Sequence, residues 1–141
     1  MTEFISEIKT IPFNDERVFS MLSDLSNLER IKERIPREHI KDFSFDSDSC
    51  HIEISPIGNV DFQIINREPY KTIKFETANS PISLFLWIQL KQAGDDVTKM
   101  KLTVHADLNP LLKTMVSKQI QEGVDKLSEL IASLPYDNIS K

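Results

Sequence analysis

VTKMKLTVHADLNPLLKTMVSKQIQEGVDKL, residues 97–127, changes from an apolar period of two to a period of 3.6 across a short polar link. Its first part places an apolar residue at every second position from Met100 to Ala106, as in a strand with one buried face. Asn109-Pro110 then supplies the residue types that begin helices. The stretch therefore predicts a strand that runs directly into a long amphipathic helix, which ends before Pro135.

Period-two patterning extends upstream of this stretch over five more predicted strands. The links between them are short and contain proline, glycine and acidic residues, which favours antiparallel pairing of neighbours in a meander. The six predicted strands cover residues 42–47, 50–55, 59–68, 71–77, 82–92 and 97–107.

The N-terminal segment predicts one strand followed by two short helices. The strand extends to Ile11, and Asn14 is a good N-cap for a helix over residues 15–22. The Ser/Asp/Asn cluster that follows ends this helix, and Ser26 or Asn27 is suited to cap a second one. We therefore expect two short helices that meet at a corner.

This order of elements resembles the START-like superfamily, also called SRPBCC, which has the helix-grip fold and includes polyketide cyclases and lipid-transfer domains. The local likeness lies in the capped corner VFSMLSDLSNLE and in the closing segments VTKMKLTVHADLNPLL and GVDKL. The resemblance implies an α+β fold in which a curved seven-stranded antiparallel sheet wraps around a long C-terminal helix, with two short helices after strand 1. It also implies an apolar cavity between sheet and helix.

Length and composition place the chain among folded proteins. Its 141 residues suffice for one domain, predicted over residues 1–135 with a polar C-terminal tail at 136–141. The N-terminus does not resemble a signal peptide and no apolar run reaches membrane-spanning length, so we expect a cytoplasmic protein without stable membrane insertion. The net charge is −5, and the densest basic stretch, residues 29–42, also carries acidic side chains, so no nucleic-acid partner is predicted.

Strand parity and the resemblance together suggest which residues line the cavity. Gly123 interrupts the apolar stripe of the long helix, where glycine costs about 1 kcal/mol relative to alanine. It either allows close packing against a bulky sheet residue or leaves room for a ligand. Gln119 either orients an apolar ligand or reaches solvent. The predicted ligand-binding residues are Phe43, Phe45, Ile52, Ile54, Phe62, Ile64, Phe75, Leu84, Leu86, Met115, Gln119 and Gly123.

Phe85 and Trp87 have the opposite parity and are predicted to form an interface on the outer sheet face, with a homodimer as one candidate. The alternatives are a bulge that turns them inward, or cover from a loop.

Residues suited to catalysis or metal binding are sparse. His51 with Glu53, and His105 with Asp107, each offer two ligands on the outward face, fewer than a zinc site requires. Cys50 has inward parity and no feature that would activate it. The sequence therefore predicts no metal site, no cofactor and no catalytic residue.

Three functions remain open at this point. The first is binding or transport of a small hydrophobic molecule, lipid-, sterol- or polyketide-like, without catalysis. The second is a polyketide cyclase/aromatase-like enzyme, for which the inward polar residues are few: Ser6, Asn66, Thr77 and Gln119. The third is a protein-interaction module that acts through the outer sheet face.

Overall fold

The computed structural model describes residues 1–30, 33, 40–54, 58–80 and 82–136. Within these residues an antiparallel sheet faces one long helix, and two short helices follow the first strands. The helices are α1 (Asp15–Leu22), α2 (Ser26–Arg30) and α3 (Pro110–Ala132). The strands are β1 (Thr2–Ile5), β2 (Lys9–Ile11), β3 (Ile40–Phe45), β4 (Ser49–Ile54), β5 (Gly58–Glu68), β6 (Thr72–Asn79), β7 (Leu84–Gly94) and β8 (Val97–Ala106).

The sheet has the strand order β1-β8-β7-β6-β5-β4-β3, with β2 also paired to β8. All of these pairs are antiparallel, as the short links favour. The predicted α+β helix-grip fold is therefore confirmed, and the six predicted strands after the first are all present. Within the described residues, none of the helices is long and apolar enough to cross a membrane.

The predicted first strand is split into β1 and β2 by Ser6. The backbone N–H of Ser6 donates to the carbonyl oxygen of Leu102, and its hydroxyl oxygen accepts from the N–H of Leu102, both at 2.9 Å. A side-chain hydroxyl thus replaces one backbone bond of the ladder. Beyond this break the parity changes, so that Ile11 is fully buried, whereas Ile8, which has the sequence parity of the buried Phe4, is 66% exposed.

The corner between α1 and α2 is capped differently from the prediction. The Asp24 carboxylate, and not Ser26 or Asn27, accepts from the first free N–H of α2, that of Ser26, at 3.1 Å. Asn27 lies inside α2, and its amide nitrogen donates to the carbonyl oxygens of Ser20 (3.1 Å) and Met21 (3.4 Å) at the end of α1. The cluster therefore ends one helix and ties it to the next.

Hydrogen bonds hold this corner against one end of the sheet. The N–H of Leu25 donates to the carbonyl oxygen of Ser47 in the β3–β4 turn at 3.1 Å. The guanidinium of Arg67 on β5 donates to the carbonyl oxygen of Ser23 at 2.8 Å and also bonds to Asp48. A single straight helix could not make this turn across the end of the sheet.

A register shift in β5 corrects one predicted inward residue. The pairing with β6 shifts between Ile64 and Asn66, so that Asn66 lies opposite the outward Lys74. Arg67 then lies opposite Ile73, which is fully buried. The inner face at this end therefore carries Arg67 in place of the predicted Asn66.

The end of the described chain also differs from the prediction. Tyr136, assigned above to the polar tail, is fully buried. Its hydroxyl donates to the carbonyl oxygen of Ile131 at 2.6 Å, and its ring centroid lies 5.8 Å from that of Phe13. Tyr136 therefore belongs to the core, and residues 137–141 of the predicted tail lie outside the described residues.

Candidate functional site

One flank of α3 packs on the sheet near its β1 edge. Ile120, Val124, Ser128 and Ile131 are buried, and α3 comes closest to strands β8, β1 and β2. The apolar stripe that the sequence predicts runs through Ile120, Gly123 and Leu127, with Ser128 on the opposite face. The buried row shares Ile120 with this stripe but is rotated toward Val124 and Ser128.

A second flank of α3, formed by Met115, Gln119, Gly123 and Leu127, points along the sheet away from β1. Its members are spaced four residues apart and so lie on one side of the helix. Gln121, on the other side of the buried row, donates from Nε2 to a carbonyl oxygen of the edge strand β1, at 3.1 Å. The second flank therefore lies on the side of the helix away from β1, with Leu127 nearest the buried row and Met115 farthest from it. We name it the cleft flank, and the space between it and the inner sheet face is the inner cleft.

The cleft flank is not closed by the described residues. Met115, a predicted ligand-binding residue, is 59% exposed. Gly123 is exposed, and a Cβ added to it would meet no heavy atom within 4 Å. The described atoms therefore do not show the close packing of Gly123 against a bulky sheet residue that was one of the two alternatives.

Gln119 lies between these two residues on the same flank and carries an unpaired polar atom. The residue is partly exposed, but its Oε1 atom is buried and has no hydrogen-bond partner among the described residues. Leaving a buried acceptor unpaired costs about 1–3 kcal/mol. The polar group that the sequence singled out therefore has a buried acceptor without a hydrogen-bond partner among the described residues.

The sheet side of the inner cleft is apolar. Its rings pack in pairs, with centroids 6.5 Å apart for Phe62 and Phe75 and 5.5 Å apart for Phe43 and Phe45. The side chain of Ile54 lies outside the described residues. Of the other predicted sheet residues, Phe43, Ile64, Phe75 and Leu86 are buried, whereas Phe45, Ile52, Phe62 and Leu84 are only partly buried.

Cys50 also lies on this inner face, between Phe45 and Phe62 in the strand register. Burial raises the pKa of its thiol to about 12. The thiol is therefore neutral at physiological pH, which agrees with the absence of any activating feature around it in the sequence.

A groove of about 410 Å³ lies at the β3–β6 end of the sheet and is lined by outward residues together with the inward Phe45, Cys50 and Phe62. Here His51 lies opposite Asp61, and its Nδ1 hydrogen-bonds the Asp61 carboxylate, which raises the pKa of His51. The sequence had paired His51 with Glu53 as candidate ligands. Within the described ranges, no three His, Cys, Asp or Glu side chains are grouped to hold a metal ion. The groove is lined by Ser44, Phe45, Asp46, Ser49, Cys50, His51, Asp61, Phe62, Gln63 and Ala78.

Phe85 and Trp87 lie on the outer face of β7, partly exposed, with ring centroids 6.1 Å apart. The pairing of β7 is regular across both positions, so the alternative of a bulge that turns them inward is wrong. The Nζ atom of Lys74 lies 4.9 Å from each ring centroid, and the ring of His105 is 4.7 Å from that of Trp87. His105 itself pairs with Glu3 at 3.0 Å and not with Asp107.

Comparison with known proteins adds structural neighbours. No protein-family model matches the sequence, and no curated protein matches it. A START superfamily protein from Mycobacterium smegmatis matches in structure with a TM-score of 0.70 and 13% identity, over 92% of this chain and 94% of that one. Norcoclaurine synthase from Thalictrum flavum, in complex with dopamine and hydroxybenzaldehyde, matches with a TM-score of 0.74 and 12% identity, over 99% and 90%.

A protein from Rhizobium loti is 22% identical over 94% of this chain and 95% of that one, with a TM-score of 0.62. Identities this low establish the architecture and leave the ligand and the reaction open. The three matches extend over more than nine-tenths of this chain, and the chain has the START-like, helix-grip fold.

Proposed function

We propose that this protein binds and carries a small hydrophobic molecule in the inner cleft, without catalysing a reaction on it. The observation that carries the proposal is the space beside Gly123 on the cleft flank, where an added Cβ would meet no described atom although the neighbouring Val124 is buried. Ligand sites are concave, mostly apolar and furnished with a few polar groups. The inner cleft has this composition, with Gln119 as a polar group on its helical side.

The chemistry of the cleft walls favours an uncharged ligand body. The sheet side presents phenylalanine and aliphatic side chains, and the nearby Cys50 thiol is neutral because burial raises its pKa to about 12. Transfer of apolar surface from water onto such walls is favourable by about 25 cal/mol per Å². A lipid-, sterol- or polyketide-like molecule suits this site best.

The enzymatic alternative, a polyketide cyclase/aromatase-like activity, has less support. One structural neighbour is a synthase by name. Among the described inner-face residues, however, Thr77 uses its hydroxyl oxygen to accept from the N–H of Leu84 at 3.1 Å, and Cys50 holds its proton. A proton-transfer catalyst needs a group that titrates near the working pH. We therefore place binding before catalysis.

The test is to fill the inner cleft from the helix. Gly123→Trp places a large side chain on the cleft flank, and Glu122→Trp adds the same side chain at the neighbouring exposed position. Binding of the neutral fluorescent probe N-phenyl-1-naphthylamine is measured for both variants and the wild type. We expect Gly123→Trp to weaken binding by about tenfold or more, equivalent to roughly 1.4 kcal/mol, and Glu122→Trp to bind as the wild type does.

If both variants lose the same affinity for the probe, binding in the inner cleft is contradicted. It is also contradicted if the folded wild type does not bind the probe. Circular dichroism of each variant shows that it is folded before binding is compared.

A second candidate function, association through the outer sheet face, is favoured by the half-exposed pair Phe85 and Trp87. Aromatic residues are enriched at protein interfaces. Substituting both with serine is expected to leave a folded monomer if they form a homodimer contact. A molar mass by light scattering that is unchanged from the wild type would defeat this candidate.

A further inference from the structure

We infer that the molecule bound in the inner cleft carries a neutral hydroxyl group, which hydrogen-bonds the side-chain amide of Gln119, and that it is not a carboxylate. This inference rests on the proposed function and narrows its ligand class. Three observations carry it: the unpaired Oε1 atom of Gln119, the paired amide nitrogen of Gln121 two residues later, and the distribution of charge around the cleft.

The unpaired amide is that of Gln119, whose Oε1 atom is buried without a donor among the described residues. A carboxamide offers one acceptor and one donor group, and a half-turn about its last bond exchanges them. A hydroxyl both donates and accepts, so it can pair with either end of the amide. A ligand hydroxyl is therefore the simplest group that removes the unpaired atom.

Gln121 shows that an amide on the same helix can be satisfied within the protein. Its Nε2 donates to the carbonyl oxygen of Ile5 and to a carboxylate oxygen of Asp125, both at 3.1 Å. Gln121 lies on the flank that meets the edge strand, whereas Gln119 lies on the cleft flank. The difference between the two amides therefore follows from their positions on the helix.

The charge distribution disfavours a carboxylate at this position. Among the described inner-face positions of β4 to β7, the cation is Arg67, and its guanidinium is already bonded to Asp48 and to the carbonyl oxygen of Ser23 at the α1–α2 corner. Burying a carboxylate without a paired cation is strongly unfavourable, whereas a hydroxyl with one hydrogen bond is tolerated. A neutral apolar alcohol or phenol therefore fits the inner cleft better than a fatty or aromatic acid.

The neighbours of Gln119 leave space for the body of such a ligand. Met115, one turn before it, is 59% exposed, and Gly123, one turn after it, has open space where a Cβ would be. An apolar ligand can therefore lie along the cleft flank with its hydroxyl at the middle of the flank.

The experiment measures the dissociation constants of naphthalene, 2-naphthol and 2-naphthoate for the wild type and for Gln119→Leu. The preference for naphthol is the ratio of the dissociation constants of naphthalene and 2-naphthol. Because the two molecules differ only in the hydroxyl group, this ratio reports the contribution of that group to binding. We expect Gln119→Leu to reduce this preference by about 2- to 12-fold, the range for one neutral hydrogen bond. Gln121→Leu, the matched control, is expected to leave it unchanged. Naphthoate is expected to bind the wild type more weakly than naphthol.

An equal preference in the wild type and Gln119→Leu, with naphthalene still bound, would overturn the inference and leave the proposed function standing. Tighter binding of naphthoate than of naphthol would also overturn it. Failure of every probe to bind the folded wild type would contradict the proposed function and the inference together. Gln119→Met provides a second variant without the amide if Gln119→Leu does not fold.

Discussion

Replacing Gln119 by leucine is expected to stabilise the ligand-free protein. The Oε1 atom of Gln119 is buried without a donor among the described residues, and such an acceptor raises the free energy of the folded state by about 1–3 kcal/mol. Leucine removes the acceptor, and its helix propensity is close to that of glutamine. We therefore expect the free energy of unfolding to rise by about 1–3 kcal/mol, which corresponds to roughly 3–10 °C in Tm for a domain of this size.

Urea denaturation followed by circular dichroism measures this change, provided that the slope with urea concentration is the same for both proteins. The control is Gln121→Leu, which loses two hydrogen bonds, to Ile5 and Asp125, and is expected to lower the free energy of unfolding by about 0.5–1.5 kcal/mol per bond. The same substitution at positions 119 and 121 is therefore expected to change the free energy of unfolding in opposite directions. If Gln119→Leu is neutral or destabilising, the amide has a partner in solution and the reasoning about an unpaired acceptor is refuted.

Three further predictions concern the inner cleft, the first strand of the sheet and the pair of His51 with Asp61. Gly123→Ala is expected to raise the free energy of unfolding by about 0.5–1 kcal/mol, because an added Cβ meets no described atom within 4 Å; a lower Tm would show that this space is filled. Ser6→Ala is expected to lower it by about 1–3 kcal/mol in urea titrations, because the buried N–H of Leu102 loses its acceptor, and an unchanged value would contradict the split first strand. Asp61→Asn is expected to lower the pKa of His51 in an NMR titration, and a wild-type titration curve would disprove the pairing. Since the pKa of His51 is raised in the folded state, the stability that the pair contributes is present below the pKa of the unfolded histidine and is lost as the pH rises through the folded pKa.

The elements that depend on local signals could be predicted from the sequence. Asn14 and Asn109 cap α1 and α3 as expected, with their side chains accepting from the N–H groups of Arg17 (2.8 Å) and Leu112 (2.9 Å). The antiparallel meander was predicted from the alternation of apolar residues and from the short links, because a short link allows a strand to pair only with its neighbour in sequence and in the antiparallel direction.

The features that depend on distant contacts could not be predicted in the same way. The break at Ser6 requires knowing that its hydroxyl meets Leu102, which lies far away in the sequence. The outward turn of Asn66 follows from a register shift against β6, which strict alternation cannot show. Burial of Tyr136 depends on its contact with Phe13, so a polar composition around it was misleading.

Two residues of the candidate site stood out in the sequence. Gln119 and Gly123 were singled out because a polar residue and a glycine interrupt an apolar stripe, and the structure places both on the cleft flank. The rotation of α3 was not foreseen, because Ser128 is small and polar and its burial depends on which strands the helix crosses. Arg67 was also missed, since only the register shift brings it to the inner face.

The central claim is that the inner cleft holds a small hydrophobic molecule, and mass spectrometry of protein purified from its own host tests it most directly. The native mass is compared with the mass after denaturation. The account predicts extra mass in the native protein that is lost on denaturation and identified as an uncharged apolar molecule bearing a hydroxyl. A native mass equal to that of the bare chain, together with no uptake of neutral apolar probes by the folded protein, would contradict it.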